Sequence, residues 1–237
     1  MVRKPSGPSG EKSPSAPAES DREKIVEAFM ALLAERPFED LGFGDIAARA
    51  GVRLTQCRNE FGSTFDVLAA QVKATDHQVL ASAAPDMAEE PPRERLFDLL
   101  MRRLELLAPH RAAIRSLLRS AGRNPGLALA MNRLAVRSQQ WMLTAADIDA
   151  AGPRGAIRAQ GLALLYARVV RVWLKDEDPG LARTLAALDR ELARGQRCAR
   201  MLDDLCRFVP PRCGRRHRSR RHEHDSGNGA DAEPIVA

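Results

Sequence analysis

The chain contains few aromatic residues and no long apolar run. Only 4% of its 237 residues are Phe, Trp or Tyr, although 44% are hydrophobic, so the core must consist mainly of aliphatic side chains. No apolar run reaches the ~20 residues that a membrane-spanning helix needs. Residues 1–20 lack the apolar segment of a secretion signal. We therefore expect no membrane insertion and a cytoplasmic location.

The sequence also lacks the motifs of common enzyme and metal-site classes. It contains no G-x-S-x-G, H-E-x-x-H or P-loop pattern. Its four cysteines do not have the spacing of a zinc site or a disulfide framework; they are Cys57, Cys198, Cys206 and Cys213. We therefore expect no catalytic residues, no metal and no cofactor, and we do not expect an enzyme.

Segments of alternating apolar and polar residues, typical of β-strands, are absent as well. From Asp21 onward, apolar residues instead recur at helical spacing, as at Ile25, Phe29 and Leu33. Asp21 is the predicted cap of this first helix, and Pro37 is predicted to end it. Similar patterns continue along most of the chain and predict an all-α fold with about nine helices.

Composition divides the chain into five segments. Residues 1–20 are rich in Pro, Ser and Gly, and residues 210–237 are rich in Arg and His, so both are predicted to be disordered tails. The proline-rich residues 84–92 are the predicted linker between a small domain, residues 21–83, and a larger helical domain, residues 93–209. Two interpretations of the Arg-rich tail are open, a nonspecific nucleic-acid arm and a solubilising segment.

Residues 45–52, DIAARAGV, are the most specific motif in the chain. Small apolar residues, a glycine and a second short helical segment predict two short helices that cross closely. Ile46, Ala47 and Ala50 are predicted to face a core, and Gly51 is predicted to adopt the positive φ that ends the first helix. Such a helix-turn-helix can place its second helix in the major groove of DNA.

From about Arg22 to Leu80, the sequence resembles the DNA-binding end of TetR-type transcriptional regulators. The resemblance implies a TetR-like fold, with a small N-terminal helix-turn-helix domain and a larger C-terminal domain for ligand binding and dimerisation. It implies a homodimer formed through the last two long helices, about residues 153–175 and 179–208. It also implies binding to a double-stranded DNA operator, as a repressor that a small apolar ligand releases.

The resemblance places the DNA contacts on and beside the second short helix. The start of that helix would contact base edges, with Arg53 suited to guanine, Gln56 to adenine and Leu54 to a thymine methyl. The full predicted set is Arg53, Leu54, Thr55, Gln56, Arg58, Asn59 and Thr64. The alternative is that the arginines in this set are ordinary solvated surface residues.

Several of these positions depart from the family pattern. Arg53 stands where the family usually has a capping Ser, Glu60 where it has a phosphate-binding His, and Thr64 where it has a Lys. Arg58 replaces a Tyr and keeps the ability to contact phosphate. Residues 21–81 carry seven basic and ten acidic side chains, and this net charge of −3 disfavours phosphate binding.

A ligand cavity in the larger domain would be lined by large apolar side chains. The candidates are Met101, Leu104, Met131, Leu134, Trp141, Met142, Leu165 and Trp173. Their helical spacing also fits residues that only fill the core, and this alternative is open for each of them. The ligand class that such a lining implies is apolar.

A second resemblance supports a different function. Residues 96–118 and residues 172–192 are similar to ubiquinone-biosynthesis accessory proteins that share the TetR fold and bind lipid instead of DNA. Asp178-Pro179 and Leu188-Asp189-Arg190 carry part of this similarity. It implies a protein that has lost operator binding and carries a lipid or quinone precursor or docks a partner. A helical dimer without a ligand is the third hypothesis.

Overall fold

The computed structural model describes residues 20–82 and 89–208. All regular secondary structure in these residues is helical, which confirms the predicted all-α fold. The helices are α1 (Asp21–Glu35), α2 (Phe43–Ala50), α3 (Leu54–Glu60), α4 (Thr64–Ala81), α5 (Pro92–Leu107), α6 (Arg111–Arg123), α7 (Pro125–Ala145), α8 (Gly152–Trp173) and α9 (Ala182–Phe208). Short 3-10 turns precede α2 and α6, at Phe38–Asp40 and Ala108–His110.

The chain divides into two units, residues 1–199 and residues 200–237. The first unit holds α1 to α8 and most of α9. The second begins inside α9, whose last residues, 200–208, remain helical. The predicted C-terminal tail, and the predicted N-terminal tail up to residue 19, lie outside the described residues. Within the described ranges, no helix combines the length and the apolarity needed to cross a membrane.

Ser20, not Asp21, caps α1. The Ser20 hydroxyl accepts a hydrogen bond from the Glu23 backbone N–H at 3.3 Å, and Glu23 Oε2 accepts one from the Ser20 N–H at 2.8 Å. This reciprocal pair is a capping box, which satisfies two of the backbone donors near the start of a helix. Asp21 is the first residue inside the helix, so the predicted cap was wrong by one position. The helix ends at Glu35, just before Pro37, as predicted.

α2 and α3 form the predicted helix-turn-helix. Gly51 connects them with a φ of +66°, a left-handed conformation that glycine adopts without strain. Ile46 of α2, Cys57 of α3 and Phe61, just after α3, are buried in one cluster with apolar residues of α1. This packing fixes one face of α3 against the protein and leaves the opposite face to solvent.

α4 contributes to two hydrophobic cores. Its Val67 and Leu68 belong to the N-terminal core with α1 to α3, and Leu117 of α6 belongs to the same core. Val79, near the other end of α4, packs in the C-terminal core with residues of α5, α7, α8 and α9. The predicted linker, residues 84–92, therefore follows a helix that both cores share. The division into separate domains at this linker stays a prediction.

Hydrogen bonds also hold α6 against the N-terminal helices. The Ser116 hydroxyl donates to the Arg36 carbonyl at 3.1 Å, and the Ser120 hydroxyl accepts from the Phe38 N–H at 3.1 Å. Both serines are buried. These bonds satisfy backbone groups just beyond the end of α1, where no helical partner is present. The N-terminal helices are therefore anchored to α6 as well as to their own core.

Candidate DNA interface and internal cavity

The solvent face of α3 carries most of the predicted DNA contacts. Arg53, Leu54, Thr55, Arg58 and Asn59 are all exposed. Leu54 is 57% exposed. The helix therefore presents two guanidinium groups, an amide, a hydroxyl and one apolar side chain to solvent. This mixture can contact phosphates and base edges.

Gln56 differs from the other predicted contacts because it is half-buried and its amide is engaged within the protein. Its Oε1 accepts from the Arg53 backbone N–H at 2.7 Å, and its Nε2 donates to Asp21 Oδ2 at 2.5 Å. The first bond caps α3 from inside the helix, because the Arg53 side chain has no acceptor atom. Gln56 would have to release its bond to Asp21 to donate to adenine, whereas its Oε1 has a second lone pair and can accept from adenine while it keeps the bond from Arg53.

Ion pairs neutralise much of the acidic charge around the helix-turn-helix. Arg22 pairs with Glu60 at 3.3 Å, Arg36 with Asp45 at 3.5 Å, and Arg49 with Glu35 at 2.8 Å; the hydrogen bond from Arg49 lowers the pKa of Glu35. The Arg22 guanidinium also lies 4.7 Å from the centre of the Phe61 ring. The repulsion of phosphate expected from Glu60 is therefore opposed by Arg22.

Arg53 and Arg58 carry the guanidinium groups beside α3 that could pair with a phosphate. Neither forms an ion pair with any residue in the described part of the chain. The Arg53 Nε makes only a long hydrogen bond to Gln56 Oε1, at 3.4 Å. Although residues 21–81 are acidic in sum, the exposed face of α3 is locally basic, and local charge is what a phosphate meets.

The start of α4 is a weaker phosphate site. Ser63 caps the helix, since its hydroxyl accepts from the Asp66 N–H at 3.2 Å and donates to Asp66 Oδ2 at 2.9 Å. Thr64, the first residue of the helix, is half-buried. The Asp66 carboxylate in the same turn would repel a phosphate that approached the Thr64 hydroxyl. Thr64 should therefore bind phosphate more weakly than the lysine that TetR-type regulators usually have at this position.

A cavity of about 160 Å³ lies among α1, α4, α5, α6, α7 and α8. Of the eight predicted ligand-binding residues, only Met131 and Leu134 line it. Trp141 is 61% exposed on the surface of α7, so its assignment to an internal site was wrong. Five others, none of which lines the cavity, pack in the C-terminal core: Met101, Leu104, Met142, Leu165 and Trp173. Helical spacing therefore predicted that seven of the eight side chains are at least half-buried, but it did not predict which part of the interior they reach.

Polar residues at the cavity were missed by the sequence analysis. Arg103, Gln139 and Tyr166 line it and are buried. The Arg103 guanidinium forms a buried ion pair with Asp76 and donates to Ser138 Oγ at 2.6 Å, and that hydroxyl donates to Asp76 Oδ1 at 2.9 Å. Arg103 continues the buried stripe of Leu96, Leu99, Leu100 and Leu104, and a charged residue on a core-facing stripe is the signal that could have revealed it. The expected purely apolar lining was therefore incomplete.

Two aspartates that carry the similarity to ubiquinone-biosynthesis accessory proteins, Asp178 and Asp189, have structural roles. Asp178 accepts hydrogen bonds from the backbone N–H groups of Gly180 and Ala182, at 3.2 and 3.1 Å, and so organises the turn into α9. The Asp189 carboxylate forms an ion pair with Arg93 at the start of α5. These contacts account for both aspartates without a ligand.

No protein-family model matches the chain, and no curated protein matches it by sequence. A TetR transcriptional regulator from Nitrosomonas europaea matches in structure with a TM-score of 0.60 and 24% identity, over 75% of this chain and 99% of that one. A TetR-family regulator from Streptomyces coelicolor matches with a TM-score of 0.52 and 14% identity, over 78% and 84%. A third, from Rhodococcus sp. RHA1, matches with a TM-score of 0.50 and 18% identity, over 74% and 94%. The chain therefore has the fold of TetR-family transcriptional regulators.

Proposed function

We propose that this protein is a cytoplasmic transcriptional regulator that binds operator DNA through α3. The observation that carries the proposal is the exposed, locally basic face of α3, with Arg53 and Arg58 free of ion pairs within the described chain. In a helix-turn-helix of this fold, the second helix enters the major groove, so Arg53, Leu54 and Thr55 contact base edges. Arg58 and Asn59 contact the phosphate backbone. Gln56 takes part only after its bond to Asp21 opens.

The regulator acts as a homodimer through α8 and α9. Ile157 and Leu164 are 56% and 54% exposed on α8, seven residues apart and therefore on one helical face. Gly161 lies between them, and no atom lies within 4 Å of the position a Cβ would occupy there. An exposed apolar stripe with a glycine at its centre permits close packing of two helices.

The dimer would also set the spacing of the DNA contacts. A two-fold contact between two copies places their α3 helices one DNA turn apart, about 34–36 Å, or a multiple of that distance. Light scattering of the purified chain tests the dimer.

The protein is a repressor that a small ligand releases from DNA. The cavity is lined by α1 and α4, which carry the helix-turn-helix, and by α5 to α8. A ligand that fills the cavity therefore contacts α1 and α4, which flank the helix-turn-helix, and α8, one of the two helices that would form the dimer. Release of DNA requires that the ligand bind more tightly to the conformation that does not fit the operator.

The second candidate function is transport of a lipid or quinone precursor without DNA binding. The net charge of −3 over residues 21–81 favours it, and so does the presence of a largely apolar cavity. The size of the cavity opposes it, because dry cavities of about 150 Å³ in proteins accommodate a molecule such as benzene, not a long isoprenoid chain. Mass spectrometry of organic extracts from the purified protein separates the two functions, since a carrier retains stoichiometric lipid.

Fluorescence anisotropy tests the regulator directly. The protein is titrated against labelled DNA flanking its own gene, against scrambled DNA, and against duplexes selected from a random library, at several salt concentrations. We expect selective binding that weakens with salt. Arg58→Ala should weaken all sequences about equally and reduce the salt slope by about one. Arg133→Ala, which removes an exposed arginine of α7, is the matched control and should change neither quantity. Failure to enrich any sequence from the library would reject operator binding.

A further inference from the structure

The cavity lies where the two hydrophobic cores meet. Its apolar walls come from both sides: Met30, Leu33 and Leu68 belong to the N-terminal core, Val170 belongs to the C-terminal core, and Leu107 and Ile114 pack against the C-terminal core. The N-terminal core also contains Ile46 of α2 and Cys57 of α3. A molecule in the cavity would therefore touch the core that holds the helix-turn-helix and the core that holds α8 at the same time.

The cavity offers a ligand very little hydrogen-bonding surface, since nearly all of the surface that lines it is apolar. Two of the polar residues at its walls are engaged within the protein. The Thr75 hydroxyl donates to the Gln71 carbonyl at 3.0 Å, and the Arg103 guanidinium pairs with Asp76. These bonds already occupy the hydroxyl hydrogen of Thr75 and the charge of Arg103.

The unpaired polar atoms near the cavity are covered by the protein. Gln139 Oε1, the Tyr166 hydroxyl oxygen and Arg103 Nε have essentially no surface accessible to solvent, so a ligand cannot reach them unless the protein rearranges. A polar group placed in the cavity would lose its hydrogen bonds to water and gain none, which weakens binding. A charged group is disfavoured more strongly, because it would be buried without a counter-ion.

The volume of the cavity limits the size of the ligand. It is about 160 Å³, and dry apolar cavities of about 150 Å³ in proteins bind benzene. The space therefore holds about one ring and excludes a long chain. Removal of the apolar surface of the ligand and of the cavity walls from water is the driving force for binding.

We propose that the cavity binds an uncharged hydrocarbon of about one ring, without a hydrogen-bonding head group, which fills the gap between the two cores. Such a ligand packs against Leu33 of α1 and Leu68 of α4 on one side and against Val170 of α8 on the other. It therefore favours the arrangement of these helices that leaves room for it. Its effect on DNA rests on the proposed function, whereas its binding does not.

Binding is tested by calorimetry on the full chain without DNA, with toluene, phenol, benzoate and biphenyl as probes. We expect toluene to bind at least about tenfold more tightly than phenol, because the phenol hydroxyl finds no partner in the cavity. Benzoate, which is charged, and biphenyl, which has two rings, should not bind measurably. Toluene should also raise the unfolding midpoint as its concentration increases, since it binds the folded state.

The other outcomes of this experiment each overturn part of the proposal. Phenol that binds as tightly as toluene, or any binding of benzoate, would overturn the absence of a head group. Biphenyl that binds as tightly as toluene would overturn the limit of one ring. No binding of toluene would overturn the proposal as a whole.

Three variants of α7 assign toluene to the cavity. Ala135→Leu adds carbon atoms at the cavity wall and should weaken toluene binding at least about tenfold. Ala128→Leu makes the same substitution at an exposed position of the same helix, and its toluene affinity should stay within about twofold of the parent. Leu134→Ala widens the cavity and should gain binding of biphenyl. Unchanged toluene affinity in Ala135→Leu, or no biphenyl binding by folded Leu134→Ala, would place toluene elsewhere and overturn the site.

Operator DNA separates the ligand site from the proposed function. If the protein is a regulator, saturating toluene should weaken operator binding by the parent in anisotropy titrations and leave Ala135→Leu unaffected. Toluene binding without any selected operator would support the ligand site and reject the regulator. Operator binding by a protein that does not bind toluene would reject the ligand site and leave the regulator in place.

Discussion

Gln56 Nε2 donates a hydrogen bond to Asp21 Oδ2 at 2.5 Å, which joins α3 to the first residue of α1. The same amide caps the start of α3 through the Arg53 N–H. A side chain in the predicted base-contacting set therefore has a structural role when DNA is absent. Whether it also reads a base depends on the strength of its bond to Asp21, and that bond can be altered without touching α3.

Asp21→Ala and Asp21→Asn form a matched pair for this question. Both remove one negative charge beside α3, so both should strengthen binding to any DNA by a similar factor. Only Asp21→Ala frees the Gln56 amide, because Asn keeps an acceptor oxygen. We expect Asp21→Ala alone to increase the preference for adenine at one operator position, measured by selection from a randomised library. Identical preferences in the two variants would exclude Gln56 from base contacts.

The ion pair between Arg22 and Glu60 gives a prediction for a residue outside the predicted DNA contacts. Without Arg22, the Glu60 carboxylate at the end of α3 faces phosphate unopposed. Arg22→Ala should therefore weaken DNA binding by about 1 kcal/mol, or roughly fivefold, in anisotropy titrations at low salt. The unfolding midpoint should change little, because both partners are substantially exposed.

The double variant Arg22→Ala/Glu60→Gln is the control for the mechanism. If Arg22 acts by opposing Glu60, removing the carboxylate as well restores most of the lost affinity. A double variant as weak as Arg22→Ala would mean that Arg22 contacts phosphate itself.

The buried pair of Arg103 and Asp76 should matter far more to stability. Asp76→Ala leaves the guanidinium buried without its counter-ion, and the expected loss in free energy of unfolding is about 3–5 kcal/mol. Glu105→Ala is the control. It removes an exposed carboxylate of α5 that lies 4.0 Å from the Arg102 guanidinium, and it should lower the free energy of unfolding by less than about 1 kcal/mol. Urea unfolding of the two variants makes the comparison. A similar loss in both would contradict a structural role for the buried pair.

Local patterns predicted the helix-turn-helix well because its determinants are close in sequence. The DIAARAGV motif contains the buried Ile46, the exposed arginine and the left-handed Gly51 within eight residues. The ion pair between Arg22 and Glu60 joins residues 38 apart in the chain, so no local pattern could have indicated it. A sum of charges along the sequence does not include this pairing, so it overestimates the negative charge of the DNA-binding face.

The internal cavity was less predictable for a related reason. Spacing placed Met131, Leu134 and Trp141 on one helix, but it could not tell which neighbours each would meet in three dimensions. Trp141 lies at the surface, whereas Met131 and Leu134 reach the cavity. Large apolar residues are expected inside a protein, so helical spacing favoured them over Arg103 and Gln139 as cavity residues. The polar residues at the cavity were therefore the ones that a hydrophobic pattern overlooks.

The turn before α9 provides a pH-dependent prediction. The buried Asp176 carboxylate accepts from the Thr184 hydroxyl at 2.6 Å and from the Thr184 N–H at 2.8 Å. The Thr184 hydroxyl is the main cause that lowers the pKa of Asp176. Because the folded pKa lies below the unfolded value of about 3.9, the carboxylate stabilises the fold above that pH. This contribution is lost as the pH falls through the lower, folded pKa.

Urea unfolding between pH 6 and pH 2.5 should therefore show a steeper acid loss of stability in the parent protein than in Asp176→Asn, which does not titrate. The variant should be less stable at pH 6, and the difference should narrow as the pH approaches the folded pKa. Thr184→Val keeps the carboxylate and the backbone bond but removes the hydroxyl, so its curve should fall between the other two. Parallel curves for the parent and Asp176→Asn across this range would show that Asp176 does not contribute through its charge, and the cause of the acid loss would then lie with other carboxylates such as Glu35.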